Sequence, residues 1–292
     1  MKSCVLGENI YFSFMVESHI SKNASRNAYV TLFTGEPYLP GVVALLRSLT
    51  RTQTQADIVI LHTEGVGEGA LRPLREMGAK TIQTELLDVS DGFRTLHRKD
   101  KIHGDAPFTK GRKPDFHTPL ANFCKLRLWQ LTQYDNVVFL DADTIVLRNI
   151  DNLFEYPEFC GAPNVYESLA DFHRLNSGVF TAKPSEATFN DMMDKLDVEG
   201  VFWRRTDQTF LQNYFPDWHG LPIYYNMLQY VWFNLPELWE WSSVKLVHYQ
   251  YEKPWESDNP RHAQLAPLID LWQAFYTGDN IPDIDQLDGP LK

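Results

Sequence analysis

Short apolar runs alternate with amphipathic runs along the first half of the chain. The first apolar run, AYVTLFT, is bounded by Gly35 and Pro37, which is typical of a strand that ends in a turn. The amphipathic runs between the apolar ones carry apolar residues at helical spacing. The pattern predicts strands at 28–34, 56–63 and 81–87 and helices at 39–50 and 70–78. Strands separated by helices favour βαβ units and a mainly parallel sheet that is covered on both faces.

A further helix and strand follow in the middle of the chain. The segment 120–134 predicts a helix that carries a row of apolar residues roughly on one side: Leu120, Phe123, Leu126, Leu128, Leu131 and Tyr134. NVVFL, at 136–140, predicts a buried strand that runs into Asp141. The second half is rich in Trp, Tyr, Phe and Pro, and its periodicity is harder to follow. Without a repeat or a low-complexity linker, we expect one domain with a loose tail at each end.

Composition and charge exclude several classes of protein. The 292 residues are 43% hydrophobic and 22% charged, which is ordinary for a globular chain with a sizeable core. The formal net charge of −11 repels phosphate backbones, so we expect no nucleic-acid partner. Three cysteines without a CxxC or Cys/His cluster suggest neither a disulfide framework nor a zinc site. The polar N-terminus and the lack of a long apolar run predict a soluble, cytoplasmic protein without a transmembrane segment.

Residues 92–117 interrupt the alternation of strands and helices. This segment contains seven Lys and Arg residues against three Asp residues, together with Gly104, Gly111 and two prolines. One interpretation is a solvated surface loop, since long irregular connections are often surface insertions. The other is a lid or an acceptor-binding segment beside the active site. The sequence does not decide between the two.

The strongest chemical signal is VVFLDADTIVL at 137–147. Side chains two residues apart in an extended segment point to the same face, so Asp141 and Asp143 should converge beside the small Ala142. Ligands of open α/β sheets bind outside the carboxyl ends of the strands. Two carboxylates there repel each other unless a cation lies between them, and Mg²⁺ or Mn²⁺ shared with a diphosphate meets that need. Taken alone, two aspartates at this spacing are also common in ordinary turns.

One class of enzyme that matches this signal is the haloacid-dehalogenase-type phosphatase. Its hhhhDxDxT pattern is matched by the apolar strand and the four residues from Asp141 to Thr144, and 278–283 resembles its later GDxxxD. Asp141 would then be the nucleophile and Asp143 the general acid. The placement argues against this class, because its motif belongs to the first strand of the fold, whereas three βα segments precede it here.

Several further blocks favour a different class. CKLRLWQLTQYDNVVFLDADTIVLRNIDNLF, RLNSGVFTAKPS, TDQTFLQNYFPDW, LPIYYN and VKLVHYQYEKPW follow one another in the chain. Together they resemble glycosyltransferase family 8, the family of glycogenin and the galactinol synthases, from Tyr29 to Trp255. The resemblance implies an α/β fold of the GT-A type, a Rossmann-like nucleotide-binding fold with a mixed, mainly parallel sheet flanked by helices. It implies a domain at 28–255, with a tail at 1–27, the basic insertion at 92–117 and an extension at 256–292.

The resemblance also implies an activity and a cofactor. The expected reaction is a retaining transfer of a hexose from a UDP-sugar to an unidentified acceptor, with an α-glycosidic product. Mn²⁺, or Mg²⁺ in its place, would be bound by Asp141, Asp143 and His248 and would neutralise the departing UDP. Lys253 would bind the departing phosphate as a point charge. The alternatives are a catalytically idle GT-A module that binds a nucleotide sugar or a glycan, and the phosphatase described above.

The remaining site residues are assigned by the same resemblance. Asp207 would bind sugar hydroxyls, and Gln208 would face the anomeric carbon; with Lys253 these are the expected catalytic residues. The expected donor-binding residues are Leu32, Thr34 and Tyr38 at the uracil edge, Lys125 on the helix before the carboxylates, Ala142 between them, and Asn176, Ser177 and Gly178 in the sugar pocket.

Three departures from the glycogenin pattern affect the expected donor and acceptor sites. Gly35 replaces an asparagine at the uracil edge, and Arg204, Arg205 and Thr206 precede Asp207 where glycogenin has Asp-Gly-Gly. The tyrosine that glycogenin glucosylates on itself has no counterpart in register, and Tyr230 is only nearby. We therefore expect a separate acceptor, which could be a sugar, a polyol, a lipid-linked molecule or a protein, rather than self-glucosylation.

Overall fold

The structure of the chain is a computed structural model that describes residues 26–98, 111–199, 201 and 206–290. Nearly all of the predicted N-terminal tail, residues 99–110 of the basic insertion, and Arg204 and Arg205 lie outside the described residues. The described strands are β1 (Asn27–Phe33), β2 (Asp57–His62), β3 (Lys80–Gln83), β4 (Asn136–Leu140), β5 (Thr144–Val146), β6 (Cys160–Pro163), β7 (Leu175–Ala182), β8 (His219–Gly220), β9 (Met227–Leu228) and β10 (Leu246–His248).

The described α-helices lie between these strands and after them. They are α1 (Leu39–Arg51), α2 (Glu68–Glu76), α3 (Asp91–Leu96), α4 (Pro119–Asn122), α5 (Glu186–Leu196), α6 (Asp207–Tyr214), α7 (Val231–Asn234) and α8 (His262–Thr277). A 3-10 helix at Phe123–Gln130 leads into β4. Within the described residues, no helix is both long enough and apolar enough to cross a membrane.

A seven-stranded sheet in the order β3-β2-β1-β4-β7-β6-β8 forms the centre of the fold. β3, β2, β1 and β4 run parallel, as the βαβ pattern predicts, while β7 pairs antiparallel with β4. Both faces of the sheet are buried, because Ala28, Val30 and Leu32 of β1 enter one apolar cluster and Tyr29 enters another. The mixed, mainly parallel sheet with flanking helices confirms the predicted fold class.

Because β7 runs antiparallel to β4, the first half of β7 lies beside the carboxyl end of β4. Leu140 is opposite Val179, and the next backbone amide, that of Asp141, donates to the carbonyl of Gly178 at 2.8 Å. The segment after β4 is therefore attached to β7 through its backbone. This segment lies at the edge of the sheet where the carboxyl ends of the parallel strands meet.

A small second sheet brings a distant part of the chain to the same edge. It has the order β5-β10-β9, with His248 of β10 opposite Thr144 of β5. The amide of Tyr249 donates to the carbonyl of Asp143 at 2.8 Å. This pairing joins residues that are about a hundred positions apart in the sequence.

Two predicted elements differ in detail. The strand expected at 81–87 is limited to Lys80–Gln83. The helix expected at 120–134 has one α-turn and then continues as the 3-10 helix. With three residues per turn, Phe123, Leu126 and Trp129 lie on one face, and all three are buried. Because this segment is buried on more than one side, a single apolar stripe does not describe it.

The C-terminal extension is packed and not loose, which corrects the expectation from the sequence. α8 lies against α1, and six of its apolar side chains are buried: Leu265, Leu268, Ile269, Leu271, Trp272 and Phe275. The hydroxyl of Tyr249 donates to the carbonyl of Leu268 at 2.8 Å. Gly278 ends the helix in the left-handed region with φ 81°, where glycine carries no side-chain penalty.

The close approach of α1 to the turn between β4 and β5 generates a stability prediction. A Cβ atom on Gly41 would lie 2.5 Å from the carbonyl oxygen of Ala142 and 2.7 Å from the ring of Trp255. We expect Gly41→Ala to lower the free energy of unfolding by roughly 1–3 kcal/mol, because backbone atoms must move to accept the methyl group. Urea denaturation followed by circular dichroism measures this change.

Gly69→Ala is the matched control, since Gly69 lies in α2 and a Cβ atom added there would have no other atom within 4 Å. There the extra methyl group should be neutral or stabilise the helix by up to about 1 kcal/mol. Equal unfolding midpoints for the two variants would contradict the close packing of α1 on this turn.

Candidate active site

Asp141, Asp143 and His248 lie together at the carboxyl edge of the parallel strands. Asp141 directly follows β4, Asp143 directly precedes β5, and His248 is the last residue of β10. The Nε2 atom of His248 is 3.2 Å from Oδ1 of Asp143 and 3.8 Å from Oδ2 of Asp141. One ligand atom from each residue lies within 4.8 Å of the others. The structure thus brings together the three residues that the sequence predicts as metal ligands.

A chain of buried side-chain amides orients the ring of His248. The amide of Gly178 donates to Oδ1 of Asn176 at 2.9 Å, which fixes that oxygen as an acceptor and turns Nδ2 toward Oδ1 of Asn164 at 2.8 Å. Nδ2 of Asn226 donates to the same Asn176 oxygen at 2.8 Å. Oδ1 of Asn226 is therefore left to accept from Nδ1 of His248 at 2.9 Å.

This chain determines which nitrogen of His248 faces the carboxylates. Since Nδ1 donates to Asn226, Nε2 is the nitrogen that points at Asp141 and Asp143, where it would be available to a metal ion. Two carboxylates and a neutral imidazole form a donor set that suits Mn²⁺ and also accepts Mg²⁺. The residues present therefore fit the metal that the family resemblance implies.

Two buried lysines compensate the carboxylates. Nζ of Lys125, on the 3-10 helix, is 3.2 Å from Oδ1 of Asp141 and 2.8 Å from Oδ2 of Asp207. Nζ of Lys253 forms an ion pair with Asp143 and donates to the carbonyl of Tyr249 at 2.9 Å. Each lysine is less than 5% exposed, so these contacts carry the charge compensation that water would supply elsewhere.

The charges in this cluster shift the acidity of its members in different directions. Burial raises the pKa of Asp141, in spite of the opposing charge of Lys125. Burial would also raise the pKa of Asp143, but Lys253 and His248 outweigh it and hold that pKa well below its usual range. Burial acts to lower the pKa of Lys125, and the carboxylates of Asp141 and Asp207 reverse this and raise it. Asp143 and Lys125 are therefore charged at neutral pH.

Asp207 and Gln208 begin α6 and face the first half of β7. Oδ2 of Asp207 accepts from the hydroxyl of Ser177 at 2.9 Å, in addition to its contact with Lys125. Oε1 of Gln208 accepts from the amide of Ser177 at 3.3 Å. The hydroxyl of Thr206 accepts from the amide of Thr209 and caps the helix. The cap and the β7 contacts hold both predicted catalytic side chains beside the carboxylate cluster.

The predicted uracil edge lies at the end of β1 on the same side of the sheet. Leu32 is in β1, and the carbonyl of Thr34 accepts from the hydroxyl of Thr63 at 2.9 Å. Tyr38 ends a 3-10 turn and packs edge-on against Phe116, with ring centroids 4.9 Å apart. Burial raises the pKa of Tyr38, and the charges of Asp143 and Asp141 raise it further.

Sequence reasoning missed the amides that orient His248. Asn226 was contained in the LPIYYN block but received no role, and Asn164 lay in no block. Asn176 and Gly178 were assigned to the sugar pocket, and that assignment stays a prediction. In the structure the amide of Asn176 is engaged with Asn164, Asn226 and Gly178, and the space above the Cα of Gly178 is taken by the His248 ring.

Comparison with known proteins identifies the family. The family model "Glycosyl transferase family 8" matches residues 29–171. UDP-glucuronate:xylan alpha-glucuronosyltransferase 2 of Arabidopsis thaliana is 33% identical over 258 residues, which are 85% of this chain and 38% of that protein. Glycogenin-1 of Homo sapiens is 31% identical over 281 residues, 89% of this chain and 74% of that protein. The chain thus spans less than two fifths of the length of the xylan enzyme.

Solved structures show the same fold at low sequence identity. The glycosyltransferase GlyE of Streptococcus pneumoniae TIGR4 superposes with a TM-score of 0.59 at 18% identity, covering 87% of this chain and 63% of that one. The galactosyltransferase LgtC, solved with donor and acceptor sugar analogs, gives a TM-score of 0.55 at 12% identity and covers 88% of this chain and 97% of that one.

The phosphatase alternative has no support in the structure or in these relatives, which are glycosyltransferases. Its second motif lies at the far end of α8, where Gly278 ends that helix beside Arg47 and the side chain of Asp283 caps a short 3-10 turn. Neither Asp279 nor Asp283 belongs to the described carboxylate cluster. Asp141 instead has a lysine and a histidine as neighbours.

The contact between Gly178 and His248 yields a prediction about metal affinity. A Cβ atom at position 178 would lie 2.4 Å from Cε1 and 2.6 Å from Nδ1 of His248. We expect Gly178→Ala to push the ring away from the carboxylates and to weaken Mn²⁺ binding by about ten-fold or more. Titration of free Mn²⁺ by electron paramagnetic resonance measures the affinity. Gly220→Ala, in the short strand β8 with only the Trp218 ring 4.0 Å away, should bind as the wild type does.

The amide chain predicts a second effect on the metal site. Asn226→Ala removes the acceptor of the His248 Nδ1 proton and leaves Oδ1 of Asn176 with one donor fewer. Because the ring then loses its fixed tautomer and orientation, we expect Mn²⁺ affinity to fall roughly 10- to 100-fold. Nitrogen-15 NMR of the imidazole in the metal-free protein should show the tautomers mixing. A single, unchanged tautomer in this variant would refute the orienting role of the amides.

Proposed function

The chain belongs to glycosyltransferase family 8, and we propose that it is a metal-dependent, retaining enzyme that moves a hexose from a UDP-sugar to a separate acceptor. The observation that carries this proposal is the convergence of Asp141, Asp143 and His248 with Lys125, Lys253 and Asp207 at one edge of the sheet. Binding alone would not require three carboxylates to be paired with two buried lysines. The whole set is what the departure of a diphosphate requires.

Each residue of the cluster has a part in this proposal. Bound Mn²⁺ or Mg²⁺ supplies a positive charge that stabilises the diphosphate leaving group. Asp141, Asp143 and the oriented Nε2 of His248 would hold the metal. Lys253, which pairs with Asp143 in the free protein, would bind a phosphate oxygen of the donor as a second positive charge. The aromatic ring of Tyr38 supports stacking on the uracil base.

The sugar end of the site is assigned to Asp207 and Gln208. Lys125 and Ser177 both contact Oδ2 of Asp207, which leaves Oδ1 for a sugar hydroxyl. Gln208 is a feeble nucleophile, so we favour attack by the acceptor on the same face that the UDP leaves. The bond from the anomeric carbon to the phosphate oxygen breaks, the bond to the acceptor oxygen forms, and the acceptor proton passes to the departing UDP.

Several sugars are candidates for the hexose that the UDP donor carries. The resemblance to the family leaves glucose, galactose, N-acetylglucosamine and xylose open. The Arabidopsis relatives act, by their names, on UDP-glucuronate and xylan, which adds the uronic acid to these candidates. A separate acceptor is supported by the state of the nearby Tyr230, whose hydroxyl is bonded to Glu252 at 2.7 Å and which is 1% exposed.

UDP release from single UDP-sugars in the presence of Mn²⁺ tests the proposed function. We expect slow release from at least one donor, at least about 100-fold less release from Asp143→Asn, and none in EDTA, because the diphosphate then leaves without its counter-charge. Asp270→Asn is the matched control: it makes the same change at an exposed position on α8.

Three outcomes would contradict the proposal. Release that persists in EDTA would exclude the metal. UDP binding without turnover across all donors and acceptors would indicate the nucleotide-sugar-binding module. Phosphate release from small phosphomonoesters, abolished by Asp141→Asn, would restore the phosphatase.

A further inference from the structure

The end of the basic insertion, residues 111–117, contacts the segment 252–259 between β10 and α8. The backbone amide of Arg112 donates to Oε1 of Glu252 at 2.7 Å, and Glu252 is 1% exposed. The guanidinium of Arg112 forms a two-pronged ion pair with Asp258, at 2.7 and 3.1 Å, and also donates to the carbonyl of Asp258 at 3.3 Å. Arg112 is therefore attached to this segment through both its backbone and its side chain.

The backbone of the insertion packs closely beside the buried carboxylate of Glu252. Oε2 of Glu252 accepts from the hydroxyl of Tyr230 at 2.7 Å, so both of its oxygens have a donor. A Cβ atom on Gly111 would lie 2.0 Å from the Tyr230 hydroxyl oxygen and 3.0 Å from Oε1 of Glu252. The contact between the insertion and the segment 252–259 thus requires a residue without a side chain at position 111.

Arg112 also reaches the residue that holds the backbone of Lys253. Nη2 of Arg112 is 3.7 Å from Oε1 of Glu256, whose side chain is 13% exposed. The other oxygen of that carboxylate, Oε2, accepts from the backbone amide of Lys253 at 2.8 Å. A chain of contacts therefore runs from the guanidinium of Arg112 through Glu256 to the backbone of Lys253.

The side chain of Lys253 leaves this segment toward the carboxylate cluster. Its Nζ atom pairs with Asp143, and its carbonyl accepts from Nδ2 of Asn259 at 3.4 Å. Nε1 of Trp255 attaches the same segment to the carbonyl of Pro37 at 3.1 Å. A lysine carries its charge as a point at the end of a flexible stem, so the place of the charge depends on how the backbone is held. The insertion supplies part of that support.

We propose that Arg112 is a positioning residue for Lys253. By holding Asp258 and Glu256, it places the ammonium group of Lys253 where it can bind the diphosphate of the donor. This inference rests on the proposed function, in which Lys253 binds a phosphate oxygen. It gives the end of the insertion a part in donor binding. Because coupling between two sites is reciprocal, bound UDP would in turn stabilise the contact of the insertion with the segment 252–259.

Isothermal titration calorimetry with UDP in saturating Mn²⁺ tests the coupling. Arg112→Ala should weaken UDP binding by about five-fold or more, and Gly111→Ala should do the same because its methyl group would meet the Tyr230 hydroxyl. In a Lys253→Met background, adding Arg112→Ala should change the affinity by less than about two-fold, since the group that Arg112 positions is gone. Arg51→Ala removes an exposed arginine at the end of α1 and should bind UDP as the wild type does.

Hydrogen exchange of the Arg112 amide tests the reciprocal effect in the wild type. This N–H donates to a buried carboxylate, so its exchange rate, measured by nitrogen-15 NMR, reports how often the insertion leaves the segment 252–259. Saturating UDP and Mn²⁺ should slow this exchange by about five-fold or more relative to Mn²⁺ alone. In Lys253→Met, UDP should change the rate by less than about two-fold.

The outcomes separate this inference from the proposed function. Equal UDP affinity of Arg112→Ala and the wild type overturns the inference alone. An undiminished effect of Arg112→Ala in the Lys253→Met background also overturns it alone, because Arg112 then acts independently of Lys253. If the wild type does not bind UDP, or Lys253→Met binds it equally well, the proposed role of Lys253 fails too. If circular dichroism shows Lys253→Met to be unfolded, the wild-type exchange decides, and exchange that UDP leaves unchanged overturns the inference.

Discussion

The compensation of buried charge is the constraint on which the site depends. Asp141, Asp143 and Asp207 lie within reach of two lysines, and each of the lysines is almost completely buried. Carboxylates this close cannot all stay ionised in a protein interior unless cations accompany them. Lys125 and Lys253 therefore compensate the negative charge of the acidic groups when no ligand is bound. Lys125 bridges two of them, and this requires the segment 123–130 to turn a lysine inward among apolar neighbours.

The orientation of the site depends on a single backbone amide. The N–H of Gly178 determines which way Asn176 faces, and through Asn226 it determines which nitrogen of His248 faces the carboxylates. The carbonyl of the same residue accepts from the amide of Asp141. Gly178 is therefore hydrogen-bonded both to the amides that orient His248 and to the backbone of Asp141. Its lack of a side chain leaves room for the imidazole ring.

The sequence predicted those features that depend on local pattern or on adjacent residues. Apolar periodicity predicted β1, β2, β4, α1 and α2 and the parallel half of the sheet, because buried strands and amphipathic helices leave a local signature. It could not predict the antiparallel entry of β7 or the packing of α8, which depend on contacts between distant segments. The approach of His248 to Asp141 and Asp143 was predicted only from the family resemblance. The supporting amides were missed because a buried Asn and a turn Asn look alike in a sequence.

The pairing of β5 with β10 also determines when the site can form during synthesis and folding of the chain. Thr144 and His248 are neighbours in space but lie on segments that a ribosome makes about a hundred residues apart. A nascent chain in which Asp141 and Asp143 have just been synthesised still lacks strand β10 with His248, and it lacks Lys253. Under the proposed function, such a chain would hold a divalent ion only weakly until β10 has paired with β5. The Asp141, Asp143 and His248 cluster can therefore form only after the chain has been synthesised through β10 and this long-range ladder has closed.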